Sequence, residues 1–101
     1  MSIKDLVNQC EGFDWDDGNE FKNYDKHNVL YSECEQIFFN IPLLIADDFA
    51  HGDDEDRFLA LGRTDQSRKL YLVFTIRKKL VRVISARDMT KNERREYEKA
   101  K

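Results

Sequence analysis

Between residues 80 and 97 the chain changes from one repeat of apolar and polar positions to another. Val81, Val83 and Ser85 alternate with Leu80, Arg82, Ile84 and Ala86, a period of two that predicts a β-strand. Thr90-Lys91-Asn92-Glu93 then matches a capping box, in which the hydroxyl accepts from the third helical amide and the glutamate reaches back. A helix carrying Arg94, Arg95 and Tyr97 is expected after it. Upstream, 57–63 and 69–76 alternate in the same way and read as two further strands. The turns between them, 64–68 and 77–79, are short, which predicts antiparallel neighbours.

The first half is less regular. Residues 1–12 hold Ile3, Leu6 and Val7 and read as a short helix ending at Gly12, and Phe13-Asp14-Trp15 reads as a short strand. Asp16 or Asp17 is expected to cap a helix through about His27, with Phe21 and Tyr24, three apart, on its buried face. Asn28 follows, a residue that tolerates the left-handed turn at a helix end. Ser32-Glu33-Cys34-Glu35 is a second capping-box match, for a helix to about residue 39 with Ile37, Phe38 and Phe39 in the core and Cys34 facing it. Pro42 breaks that helix, and Leu43-Leu44-Ile45-Ala46 is of strand length. Residues 51–56, HGDDED, form an acidic loop. The predicted order is β-α-α-β-β-β-β-α. It describes an α+β fold in which two N-terminal helices and a C-terminal helix pack with an antiparallel sheet, on one of its faces.

A chain of 101 residues supports one modest core, expected here as a single domain over 13–101 with an N-terminal extension over 1–12. No run approaches the roughly 20 apolar residues of a membrane span, and the N-terminus lacks a signal-peptide apolar core, so a cytoplasmic protein is expected. Cys10 and Cys34 are then expected as free thiols. The spacing of two cysteines and two histidines fits no metal site, and no phosphate-binding or dinucleotide motif is present, so neither metal nor cofactor is expected. The net charge of −3 conceals an asymmetry: residues 1–56 hold 15 acids and 3 bases, whereas 57–101 hold 5 acids and 14 bases. The basic half suits a polyanion, but it suits neutralisation by the acidic half equally well.

Within the basic half, Arg57, Arg63, Arg82 and Arg87 flank or interrupt strands and form a phosphate-binding surface if they share a sheet face. Period two sets Arg57 and Arg63 on one side. Arg82 and Arg87 differ by five, so bringing them together requires a bulge, or Arg87 beyond the strand end. Arginine serves internal salt bridges as readily. Lys26 and His27 end the first long helix; histidine exchanges protons near neutral pH, although cations also gather at helix C-termini for electrostatic reasons alone. Tyr97 is either a base-stacking or proton-donating residue or a packing tyrosine.

Three strings carry a family resemblance. Phe13-Asp14-Trp15-Asp16 with Asn23-Tyr24-Asp25-Lys26-His27-Asn28-Val29 resembles the opening motif of BrnT-type toxins. Arg57-Phe58-Leu59-Ala60-Leu61-Gly62 is similar to their central strand, and Val83-Ile84-Ser85-Ala86-Arg87, with Glu93-Arg94 and Tyr97-Glu98, to their C-terminal signature. Asn28 stands where family members usually place glycine, and Met89 where they usually place a small residue. The resemblance implies a RelE-like fold and a ribonuclease toxin that inhibits translation and growth. It also implies a BrnA-type ribbon-helix-helix antitoxin, a toxin–antitoxin heterotetramer, and contact with DNA only through the antitoxin.

The expected reaction is metal-independent cleavage of RNA by attack of a 2′-hydroxyl on the adjacent phosphate. Lys26 or His27 would transfer protons, Arg57, Arg82 and Arg87 would bind the phosphate, and Glu93 and Tyr97 are secondary candidates for proton transfer or base stacking. The alternatives are a non-catalytic module that only binds an antitoxin-like partner, and a structural role in which the arginines neutralise the acidic half.

Overall fold

The computed structural model describes residues 2–47 and 56–100. The elements are α1 (Ile3–Asn8), β1 (Gly12–Phe13), α2 (Lys22–His27), α3 (Tyr31–Ile37), β2 (Leu44–Asp47), β3 (Phe58–Arg63), β4 (Lys69–Arg77), β5 (Leu80–Asp88) and α4 (Lys91–Lys99). His51 and the rest of the predicted loop up to residue 55 lie outside the described residues.

Among the described residues the sheet has the strand order β1-β5-β4-β3-β2. The β2–β3–β4–β5 meander is antiparallel. The expectation of a wholly antiparallel sheet is corrected by β1, which pairs parallel to β5 through Gly12–Leu80 and Phe13–Val81. The reason is the connection: chain from β1 passes through two helices and the meander before β5 returns beside it, so no hairpin fixes their direction. The turn between β4 and β5 does have hairpin chemistry. Lys78 and Lys79 adopt φ of 52° and 63°, the left-handed pair of a two-residue type I′ turn.

One sheet face carries the main core. Alternation along β3 and β4 buries Phe58, Ala60, Leu70, Leu72 and Phe74, and β5 adds Val81, Val83 and Ala86. Cys34 and Ile37 of α3 seal this layer, with Ile3 and Val7 of α1 packed at its margin. Gly62 faces Ile37 so closely that an added Cβ would lie 2.8 Å from the Ile37 Cβ. The next residue outward, Leu61, points the other way and lines a groove with Glu93 of α4. The helices therefore flank both faces, not one: α3 covers the main core and α4 lies across part of the opposite face.

Several local expectations change. Phe21 and Tyr24 are 57% and 47% exposed, because α2 begins only at Lys22 and packs against β5 through other positions. The Asp16 region instead forms a turn, with Asp16 N bonded to Asn19 Oδ1 and Gly18 N to Asp16 Oδ1. The N-cap of α3 is Leu30, where Glu33 Oε1 accepts from the Leu30 amide at 3.0 Å; the predicted box began two residues late. That helix ends at Ile37, which leaves Phe38 half-buried and Phe39 78% exposed. Thr90 caps α4 as expected, with the reciprocal Thr90–Glu93 bonds both present.

Candidate active site

The face opposite the main core is laid out in cross-strand rows, since directly opposed residues of antiparallel strands point to the same side. Thr75 opposes Arg82, and the β3–β4 register carried one residue beyond Phe58–Phe74 sets Arg57 beside Thr75. The Thr75 hydroxyl donates to the Asp56 carbonyl at 2.7 Å, which holds the approach to β3 in that register. The next row is Ala46, Leu59, Val73 and Ser85; the one after is Leu44, Leu61, Tyr71 and Arg87. A row of three apolar residues and Ser85 thus lies between two arginine-bearing rows.

Arg82 and Arg87 share this face because of a bulge. Val73 opposes Ser85 but Phe74 opposes Val83, so Ile84 is an extra residue in β5. The slip of one converts a spacing of five, which places side chains on opposite faces, into an effective four. Those four positions, Thr75 to Tyr71 on β4, separate the two arginine rows by about 13 Å at ordinary strand rise. Asn19 supports this edge of β5: its buried side-chain amide donates to the Val83 carbonyl at 3.1 Å and the Asp14 carbonyl at 2.9 Å.

Arg82 and Arg87 each have a carboxylate partner. Arg82 grips Asp16 with two bonds of 3.0 and 3.2 Å and lies 3.5 Å from Asp14. Its hydrogen bond holds the Asp16 carboxyl below the usual range. Arg87 makes two parallel bonds to Glu93, 2.8 and 3.0 Å, and its guanidinium carbon sits 3.9 Å above the Tyr71 ring. The Arg87 bonds, reinforced by the Thr90 amide, lower the Glu93 carboxyl against the opposing effect of partial burial. Arg63 lies on the same face in the next row, opposite Lys69, with its Nε donating to the Ile41 carbonyl.

Lys26 and His27 occupy the exposed last turn of α2, and Asn28 follows with φ 56°. The left-handed turn expected after this helix is thus made by asparagine. The carbonyls of His27 and Asn28 accept from Arg68 at 3.3 and 2.9 Å. Arg68 also forks onto Asp88 at 2.7 and 3.0 Å and reaches Glu33 at 3.1 Å. The Asp88 carboxyl is lowered first by its bond to Arg68, with His27 and Arg94 adding to the positive field around it. The end of α2 is thereby brought beside the residue that follows Arg87. From the sequence Arg68 reads only as part of the 64–68 turn; a turn arginine with distant partners leaves no local periodic signal.

Tyr97 faces the protein interior. It is fully buried, and its hydroxyl donates to the Pro42 carbonyl at 2.5 Å. The expected position on α4 is right, but α4 turns that side chain inward, where burial raises its pKa. Among the described residues no cluster of three or more His, Cys, Asp or Glu side chains has metal-binding geometry.

Comparison with protein families gives a match over residues 15–93 to the ribonuclease toxin BrnT of type II toxin–antitoxin systems. The chain belongs to the BrnT toxin family. As a BrnT toxin it is a ribonuclease toxin with an antitoxin partner. The matched segment contains Lys26, His27, Arg57, Arg82, Arg87 and Glu93 and stops before Tyr97. No curated protein matches the chain. No helix among the described residues is long and apolar enough to cross a membrane.

Proposed function

We propose that this BrnT toxin is a cytoplasmic, metal-independent endoribonuclease with a RelE-like fold, acting on the 3′,5′ linkage of single-stranded RNA to block translation and growth. The substrate's own 2′-oxygen attacks the adjacent phosphorus as its proton passes to His27 or Lys26. The P–O5′ bond breaks, the leaving oxygen takes a proton from the protein or from water, and the products are a 2′,3′-cyclic phosphate and a 5′-hydroxyl end. Because the nucleophile belongs to the substrate, the protein has to supply proton transfer and positive charge for the developing phosphorane.

The observation that best supports this reading is the β5 bulge at Ile84, which sets Arg82 and Arg87 on one sheet face with Arg57 in the Arg82 row. Separated rows suit contact with more than one backbone position of an RNA strand. In the free protein Asp16 and Glu93 occupy the arginines; a phosphate, which forms the same two-pronged contact, exchanges for them. Glu93 is accordingly a counter-charge to Arg87, with proton transfer as its competing role. The partner proposed is a BrnA-type ribbon-helix-helix antitoxin that masks the cationic face in a two-toxin, two-antitoxin complex and alone contacts DNA.

Purified protein incubated with a labelled RNA in excess chelator tests the reaction. Cleavage that persists, and falls on the order of 100-fold in Arg82→Ala and in His27→Ala, is the expected result. One observation favours the second reading, a module that binds an antitoxin without cleaving: Arg82 and Arg87 are already satisfied internally. Intact RNA from folded protein, together with tight antitoxin binding, selects that reading.

A further inference from the structure

We propose that Arg68 is a positioning residue for RNA cleavage, setting the end of α2 against Arg87; this rests on the cleavage reading above. A guanidinium has five N–H donors in a fixed plane, and the contacts of Arg68 account for all of them. Nε takes Asp88 Oδ1, and Nη2 takes Asp88 Oδ2 at 3.0 Å and the His27 carbonyl at 3.3 Å. Nη1 takes the Asn28 carbonyl at 2.9 Å and the Glu33 carboxylate at 3.1 and 3.2 Å. With all five donors engaged by four different residues, Arg68 is less suited to hold a phosphate than Arg82 and Arg87, each held chiefly by one carboxylate.

What Arg68 joins gives it a role in the reaction. The carbonyls of a helix's last turn have no partner within the helix. At α2 two carbonyls, those of His27 and Asn28, are held by Arg68, immediately where the backbone turns left-handed at Asn28. The same planar group grips Asp88, covalently next to Arg87, and Glu33 in the first turn of α3. One rigid fork therefore ties the end of α2, which carries the proton-transfer candidates, to the β5 backbone beside Arg87, whose side chain emerges on the other sheet face. α2 is a six-residue helix whose Tyr24 is exposed; the buried Val29 anchors the chain just after it, and Arg68 holds the last-turn carbonyls themselves. A misplacement of the order of 1 Å between reacting groups lowers a rate about 100-fold.

Arg68→Lys tests the inference, since lysine keeps the charge and has three donors on a flexible stem, too few to reproduce the fork. Kinetics on a short single-stranded RNA are measured with amide hydrogen exchange on the same samples. The expected result is a kcat lowered by roughly 10- to 100-fold with KM within about threefold. Exchange should rise about tenfold or more at residues 24–28, with the β3 and β4 amides unchanged. Wild-type kcat in Arg68→Lys overturns the inference, as does a loss confined to KM, which would make Arg68 a substrate-binding group, or unchanged exchange at 24–28. Arg68→Gln should repeat the pattern more strongly, and a drop in melting temperature with kcat preserved would show a purely structural residue. Absence of cleavage by wild type is a separate result, which removes the cleavage reading itself and the positioning role with it.

Discussion

Arg87 and Glu93 face each other across the strand-to-helix turn in two parallel hydrogen bonds, 2.8 and 3.0 Å, over the ring of Tyr71. The pair joins β5 to the first turn of α4, and Glu93 also accepts from the Thr90 amide. Glu93→Gln keeps shape and cap geometry while removing the charge that competes with phosphate. We expect RNA to bind roughly 3- to 10-fold more tightly, with a steeper loss of affinity as salt rises, because Arg87 is then the freer cation. Cleavage should stay within about tenfold of wild type. A fall in kcat of about 100-fold or more would instead identify Glu93 as a proton-transfer group.

The Tyr97 hydroxyl donates to the Pro42 carbonyl, and its side chain is fully buried. Tyr97→Phe removes that bond and leaves the ring's packing. The expected cost is about 1 kcal/mol of stability in urea unfolding, the typical net worth of one hydrogen bond. RNA cleavage per folded molecule should be unchanged, and a loss of 100-fold would return Tyr97 to the chemistry.

Gly62 of β3 packs directly against Ile37 of α3. A methyl at residue 62 would meet the Ile37 Cβ at 2.8 Å, an atom fixed to the helix backbone and unable to rotate away. Gly62→Ala should therefore destabilise the protein by about 1–3 kcal/mol, the usual cost of overpacking a core. An unchanged urea midpoint would mean that α3 shifts freely. Ile37→Ala keeps the Cβ that makes this contact, so it should not restore Gly62→Ala to wild-type stability in a double-mutant cycle.

The strongly periodic elements were legible in the sequence: β3, β4, β5 and the Thr90 cap of α4 all lie where alternation and capping chemistry put them. The parallel β1 was not, because a two-residue strand has no measurable period and its partner lies far along the chain. Phe21 and Tyr24 misled for a related reason: a spacing of three marks a shared helix face but not whether that face is covered. In the site, the same-face placement of Arg82 and Arg87 depended on one bulge. A Val-Ile-Ser stretch fits regular and bulged strands alike, so the sequence stated the condition and the pairing with β4 fulfilled it. Arg68 was invisible in function because all its side-chain partners, from His27 to Asp88, lie at least twenty residues away.

The same ion pairs give the fold an acid limit. Asp16, Asp88 and Glu93 are each held below their ordinary pKa, chiefly by hydrogen bonds from Arg82, Arg68 and Arg87 respectively. A carboxyl with a lower pKa folded than unfolded stabilises the fold fully above the unfolded value, and that contribution is lost as pH falls through the folded value. Stability should thus be level near neutrality and decline below about pH 4.5, where unfolded carboxylates begin to take up protons. On the alkaline side the sign reverses: burial pushes the Cys34 thiol up to about 12, so its contribution is complete below the unfolded value of 9.0 and lost as pH rises beyond it. Urea midpoints at pH 3, 7 and 10 should trace this dome. Asp88→Asn should narrow the difference between pH 3 and pH 7, since one of the titrating carboxylates is gone. An equal difference in wild type and variant would mean that the Arg68–Asp88 pair contributes nothing to the acid limb, leaving it to Asp16, Glu93 and the remaining carboxylates.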